Sequence, residues 1–294
     1  MEQKLFNGEV IIRQDGCYTR AHFFRHQETG QRALLVGMMH GGDPECFAAI
    51  KELLSECDCV LYEGSASSDN RQNGGCENCA GSCAENPGDI SADAVPGERI
   101  ECAKHCSKTC GECSGRDANN EPAPAMALMQ IFFIAAPRHL GLSLESDFFD
   151  YHAAGWKSAE GPFIARMRDD EEFRKELLAQ LMAPAISKER QNEICLHLLE
   201  AITRIAEREF SRKDFMESFA FLWSDGETVE AFQSILGAMR DEIVFDVFDE
   251  TVRHKNPNMI GIKFGAAHIA HQRQLLERRG YVIERSIEIK QFLL

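Results

Sequence analysis

The chain has 294 residues, 44% of them hydrophobic and 27% charged, which is the composition of an ordinary globular protein with room for one large core or two modest ones. Its 47 acidic residues against 32 basic ones give a net charge of −15, a field that repels phosphate backbones and argues against a nucleic-acid partner. The most apolar stretch, Ala125 to Ala136, is about half the roughly 20 residues that a bilayer-spanning helix needs, so no membrane span is expected. The opening residues, MEQKLFNGEVIIRQDG, lack the apolar run of a secretory signal, and the expected location is cytoplasmic.

In chain order, EVIIRQ and YTRAHFFRH alternate apolar and polar side chains around the turn dipeptide Asp15-Gly16, which predicts two half-buried strands. ALLVG follows as a buried strand and leads to Gly37 and His40. Asp43-Pro44 then suits a helix start, with Phe47, Ile50, Leu53 and Leu54 as the apolar face. Cys59 to Tyr62 is the next strand, ending at Glu63-Gly64. If parallel and adjacent, the two strands of this βαβ unit would place His40 and Glu63 on one sheet edge.

From Ser65 to about Pro124, Gly, Ser, Asn, Asp and Pro crowd in, and seven of the twelve cysteines fall here, so this segment cannot build a hydrophobic core. The expected organisation is an α/β domain over residues 1–64 and 125–294, interrupted by a Cys-rich insert at 65–124. Its sheet would be central and mixed, flanked by helices. Three- and four-residue apolar spacing predicts a helical middle: Met126 to Ala136, Glu171 to Leu181, Lys188 to Phe210 and Thr228 to about His254. Asn256-Pro257-Asn258 breaks that pattern. Then comes NMIGIKFGAAHIAHQRQLLERRG, a second apolar run, Gly265, His268 and a helix, and YVIERSIEI closes as a strand. The glycines are expected to permit a sharp turn out of each strand. Gly-x-x-His thus occurs twice, with histidines 228 positions apart, and both would emerge at strand ends, where active sites of open α/β sheets gather.

VGMMHGGD, VLYEG, MRDEIVFDVF and KFGAAH followed by GYVIE resemble the TraB/TIKI superfamily, whose relatives include ChaN-like proteins and erythromycin esterases. The likeness covers residues 33–64 and 237–285. It implies that the family's motif histidines fall on His40 and His268, its acidic residue on Glu63 and its helix-borne arginine on Arg240. It also implies hydrolysis of a peptide or small molecule, metal-dependent as in TIKI-type peptidases or metal-free as in the esterases.

The residue chemistry suits either branch. His40, Glu63 and His268 would make a first shell for Mn²⁺, Co²⁺ or Zn²⁺, which lowers the pKa of bound water. Without a metal, Glu63 would orient a histidine that deprotonates water. Arg240 would stabilise an oxyanion or hold a substrate carboxylate, against the ordinary alternative of a salt bridge to Asp241 or Asp246. Asp43, Glu45 and His271 are candidate outer or additional ligands. Asp150, Tyr151 and His152, in the stretch FFDYHAAGW, would either border the site or belong to a loop with surface aromatics.

In the insert, Cys76-x-x-Cys79 and Cys110-x-x-Cys113 suit a structural zinc, with Cys83, Cys102, Cys106 and His105 as further ligands. Disulfides, an iron-sulfur cluster and free thiols are the alternatives, and the insert would offer a surface to a protein partner. A non-catalytic metal-binding protein is the rival from another functional class.

Overall fold

The computed structural model describes residues 2–64, 124–175, 187–223 and 237–294. The Cys-rich insert, with Cys76, Cys79, Cys83, Cys102, His105, Cys106, Cys110 and Cys113, lies outside the described residues.

The first strands are β1 (Gln3–Leu5), β2 (Val10–Arg13), β3 (Gly16–His26) and β4 (Arg32–Met38), each antiparallel to its predecessor. A two-residue strand, β5 (Gly41–Gly42), precedes helix α1 (Pro44–Ser55), and β6 (Cys59–Tyr62) follows it. Helix α2 (Pro124–His139), β7 (Ser143–Leu144), β8 (Trp156–Ser158) and α3 (Gly161–Asp169) come next, then α4 (Lys188–Ala206) and α5 (Arg212–Trp223). Helix α6 (Ala238–Lys255), β9 (Met259–Gly265), α7 (Ala266–Arg278) and β10 (Tyr281–Leu293) complete the order.

The main sheet runs β1-β2-β3-β4-β9-β6-β8, with β10 also paired along β3. Strands β4, β9, β6 and β8 are mutually parallel, and the rest extend the sheet antiparallel. The fold is therefore mixed α/β. The expectation that β4 and β6 would be neighbours is corrected: β9 lies between them and bonds to both. This is the right place for MIGIKF, because an inner strand covered on both faces needs a near-continuous buried run, and Met259 to Phe264 are all buried.

Alternation along the parallel strands separates two cores. Leu34 and Val36 pack with Phe47, Ile50 and Leu54 of α1. Leu35, Ile260, Ile262 and Phe264 pack with Phe245 and Phe248 of α6 and Ile269, Leu275 and Leu276 of α7. A third cluster joins α2, α4 and α5 to Phe6, Val10 and Met39. The predicted helix Lys188 to Phe210 ends earlier: Arg208 adopts φ +62, and α5 starts as a separate helix that the periodicity did not reveal. The predicted helix Glu171 to Leu181 is described only through residue 175, and the start expected at Thr228 lies outside the described residues. Asn256 ends α6 in the left-handed conformation, as its side chain tolerates. Among the described residues, no helix is long and apolar enough to cross a membrane.

Asp43 precedes Pro44 at the start of α1, yet its carboxylate makes no cap. It accepts from the Leu293 backbone N–H at 3.0 Å and pairs with Arg212 at 2.9 Å, tying β10 and α5 to the helix start. Glu45 is exposed in the first turn and lines a different cavity with Asp43 and Leu293. Neither reaches the histidine site, which corrects their reading as additional ligands.

Candidate active site

The carboxyl ends of the four parallel strands each deliver one charged or titratable side chain to the same edge. β4 leads to His40, β6 to Glu63, β8 to Glu160, and β9 to His268 in the first turn of α7. The insertion of β9 places His268 between the other two motif residues. A second helix, α6, adds Arg240 and Asp241.

The two motif glycines serve close approach and not a reversed turn. Neither has positive φ, and Gly265 sits at φ −56. A Cβ at Gly37 would lie 2.7 Å from Ile269, so glycine there lets α7 seat against β4. A Cβ at Gly265 would lie 3.1 Å from Glu63 Oε2 and 3.7 Å from His40 Nε2, so these two groups border one small gap over bare backbone.

Glu63 is the hub. Its Oε2 accepts from the Gly265 N–H at 2.6 Å, its Oε1 accepts from Arg240 Nη2 at 2.8 Å, and His268 Nε2 stands 3.8 Å from Oε1. Burial works against its charge, but His268, His40, Arg240 and the Gly265 N–H more than offset that and hold the carboxyl at about 2. Glu63 is therefore a fixed anion and a poor proton acceptor. Arg240 also donates through Nε to Glu160, whose other oxygen accepts from the Gly64 N–H at 2.8 Å. With Nε and Nη2 taken by carboxylates, Arg240 braces Glu63.

Each histidine is held from behind by its own carboxylate. His268 Nδ1 is 3.0 Å from Asp241 Oδ1, leaving Nε2 toward Glu63. Asp241 is fully buried and also receives His271 at 3.0 Å and Gln272 Nε2 at 2.8 Å. Desolvation pulls the pKa of His268 down, but Asp241 and Glu63 outweigh it and the net shift is upward. For Asp241, burial raises and the hydrogen bonds from His268 and His271 lower, and the net shift is downward. Asp241 was expected, if anything, to pair with Arg240. Adjacent residues on a helix point about 100° apart, and the two serve different partners.

His40 Nδ1 is 3.3 Å from Glu145 Oε1, and this bond raises its pKa above the usual value, though the ring is 65% exposed and solvent screens part of the effect. A two-stranded ladder of β5 with β7 and a bond from the Glu145 N–H to the His40 carbonyl at 3.1 Å hold Glu145 in register. Glu145 Oε2 accepts from Lys263 Nζ at 3.3 Å. Lys263 is 1% exposed, and its ammonium also lies 5.1 Å from the Tyr151 ring and 5.2 Å from Phe149. Tyr151 thus borders this relay, while the Asp150 carboxylate accepts from the His152 backbone N–H within its own loop.

His271 reaches the site only through Asp241. Sequence reasoning misses Glu145, Glu160 and Lys263, and it names Asp241 only as a mate for Arg240. A lysine inside the buried run MIGIKFG was a usable signal, because an ammonium there demands a partner. Glu145 and Glu160 follow strands too short to show a pattern.

A cavity of about 190 Å³ opens beside His40, Glu63 and His268. The rest of its wall is apolar: Phe6, Met38 and Met39, Phe133 and Pro137 of α2, Phe215, Phe219 and Trp223 of α5, and Ala266 and Ala267.

Among the described residues, no group of three or more His, Cys, Asp or Glu side chains is arranged to hold a metal ion. Each oxygen of Glu63 already accepts one strong donor, one of them the Arg240 cation, so a divalent ion held by His40, Glu63 and His268 would share this carboxylate with Arg240 and the Gly265 N–H. Comparisons of the chain with family models, with curated proteins and with solved structures found no match.

Proposed function

We propose that this protein is a hydrolase of the TraB/TIKI kind, cleaving an amide, peptide or ester bond with water activated between His40 and His268. One observation carries the reading. Two imidazoles from distant parts of the chain converge on Glu63 at the sheet's carboxyl edge, each fixed at Nδ1 by a different carboxylate, with Nε2 left for the cavity.

In this mechanism His40, more exposed and backed by Glu145, takes a proton from a water in the cavity as that water attacks the carbonyl carbon. Glu145 stabilises the imidazolium formed. His268, whose protonated form Asp241 and Glu63 favour, donates first a hydrogen bond to the developing oxyanion and then its proton to the leaving group. The proton on His40 returns the pair to its starting state by way of His268 or solvent. Glu63, kept ionised by Arg240, fixes the charge of His268 and is not itself the base.

Turnover of ester and anilide substrates is expected to survive exhaustive chelation. Loss of turnover on chelation, restored by Mn²⁺, Co²⁺ or Zn²⁺ with helicity unchanged, would establish the metal-dependent branch instead. A complete lack of hydrolysis across the panel by a folded protein would reject the enzyme reading and leave a binding or regulatory role.

A further inference from the structure

We infer that the cavity beside the two histidines selects neutral substrates carrying one phenyl-sized apolar group next to the scissile carbonyl. The inference rests on the hydrolase reading for the word substrate, but its physical content is a binding preference that can be read without turnover.

Size sets the first limit. A buried apolar cavity of about 150 Å³ accommodates benzene, and the space here, about 190 Å³, is slightly larger. Wall chemistry sets the second. Phe6, Phe133, Phe215, Phe219 and Trp223 line the cavity, and the polar lining groups Glu63, His40 and His268 lie together around Gly265 and Glu63. An apolar group in the cavity therefore leaves its attached carbonyl at the histidines.

Charge sets the third. Glu63, Glu145, Glu160 and Asp241 surround the polar end, and the cations Arg240 and Lys263 are each engaged by those carboxylates. A substrate anion would meet these carboxylates with His268 as its facing donor, a ring already shared by Asp241 and Glu63, so an anion is disfavoured there relative to a neutral group.

Trp223 provides the readout, since the chain has two tryptophans and the other, Trp156, packs against Tyr62 and Tyr151 away from the cavity. In a Trp156→Phe variant, fluorescence reports Trp223 alone. The titrants are phenylacetone, a neutral ketone that cannot be hydrolysed, phenylacetate as its anionic counterpart, and acetone, which lacks the ring. Phenylacetone is expected to give a saturable change, with phenylacetate and acetone weaker by about tenfold or more. Phe133→Ala, at a partly buried wall position, is expected to improve binding of the bulkier 2-naphthylacetone relative to phenylacetone.

Equal responses to all three titrants, or no saturable response to phenylacetone in the folded variant, would overturn the inference. So would tighter binding of phenylacetate. Hydrolysis is measured separately: selective binding without turnover rejects the enzyme reading and keeps the pocket assignment, whereas turnover without selective binding does the reverse.

Discussion

Two regions of this molecule hold a histidine against a carboxylate, and they end differently. In the antiparallel part, His22 is 2% exposed, with Nε2 2.7 Å from the fully buried Glu9 and Nδ1 2.7 Å from Ser286 Oγ. Arg273 approaches the second oxygen of Glu9 at 3.4 Å. Every atom of that imidazole able to hydrogen-bond is satisfied within the protein, and none of these residues lines the cavity. In the parallel part, His40 and His268 are each satisfied at Nδ1 only, and their Nε2 atoms border the cavity with Glu63. The lesson is that a buried carboxylate beside a histidine is a structural device when both ring nitrogens are consumed. It becomes a candidate for chemistry when one nitrogen is pinned and the other is left open.

The sharpest way to break this contrast is to remove one histidine of each kind. His268→Ala and His40→Ala are each expected to lower kcat/KM on a neutral ester by about 10²- to 10⁴-fold while circular dichroism stays native. His22→Ala is expected to leave kcat within about twofold but to destabilise the fold by about 1–3 kcal/mol in urea titration, because Glu9 loses a buried partner. If His22→Ala cost more turnover than His40→Ala, the contrast would be wrong.

Neutralising Glu63 comes next in expected size. The fall of its pKa from 4.5 to about 2 corresponds to about 3 kcal/mol of stability from the charged form. That contribution is present above the unfolded value and is lost as pH drops from about 4.5 toward 2. Glu63→Gln should therefore flatten the acid limb of the stability curve in that window and reduce turnover, since His268 would lose one of the two anions that keep it protonated.

The smallest effects concern the pH profile. His40 must be neutral to accept a proton, and its raised pKa places the acid limb of kcat/KM above 6.5. His268 must be protonated, and its raised pKa sets the alkaline limb. Glu145→Gln is expected to move the acid limb downward and Asp241→Asn to move the alkaline limb downward, each by less than the loss seen on deleting the histidine. Lys263→Met should act through Glu145 on the acid limb alone. A shift of the other limb in any of these variants would reassign the two rings.

The sequence made part of this visible. Apolar runs bounded by glycine located β4, β6 and β9, and the residues at their ends named His40, Glu63 and His268. The family resemblance, not periodicity, brought in Arg240. What stayed hidden was the partner of each ring. Asp241 looked like a surface charge because its neighbour Arg240 offered an obvious mate, and only the docking of α7 against α6 turns it inward to His268. Glu145 is brought to His40 by a two-residue ladder, which is too short to leave a pattern in the chain. Asp43 fitted a cap by residue type, but the approach of β10 and Arg212 gave its carboxylate better partners. The order of strands was likewise hidden, since hydrophobicity marks β9 as central without saying which two strands it separates.

That strand order has a consequence for how the protein comes to exist. During synthesis β4 and β6 emerge about two hundred residues before β9, the strand that both of them bond. Until Met259 to Gly265 leave the ribosome, two inner edges have no mate in β9, and Glu63 lacks the Gly265 amide and His268. Pairings so distant along the chain close slowly and leave apolar edges open to wrong partners meanwhile. His40, Glu63 and His268 are thus brought together by the same late step that closes the sheet.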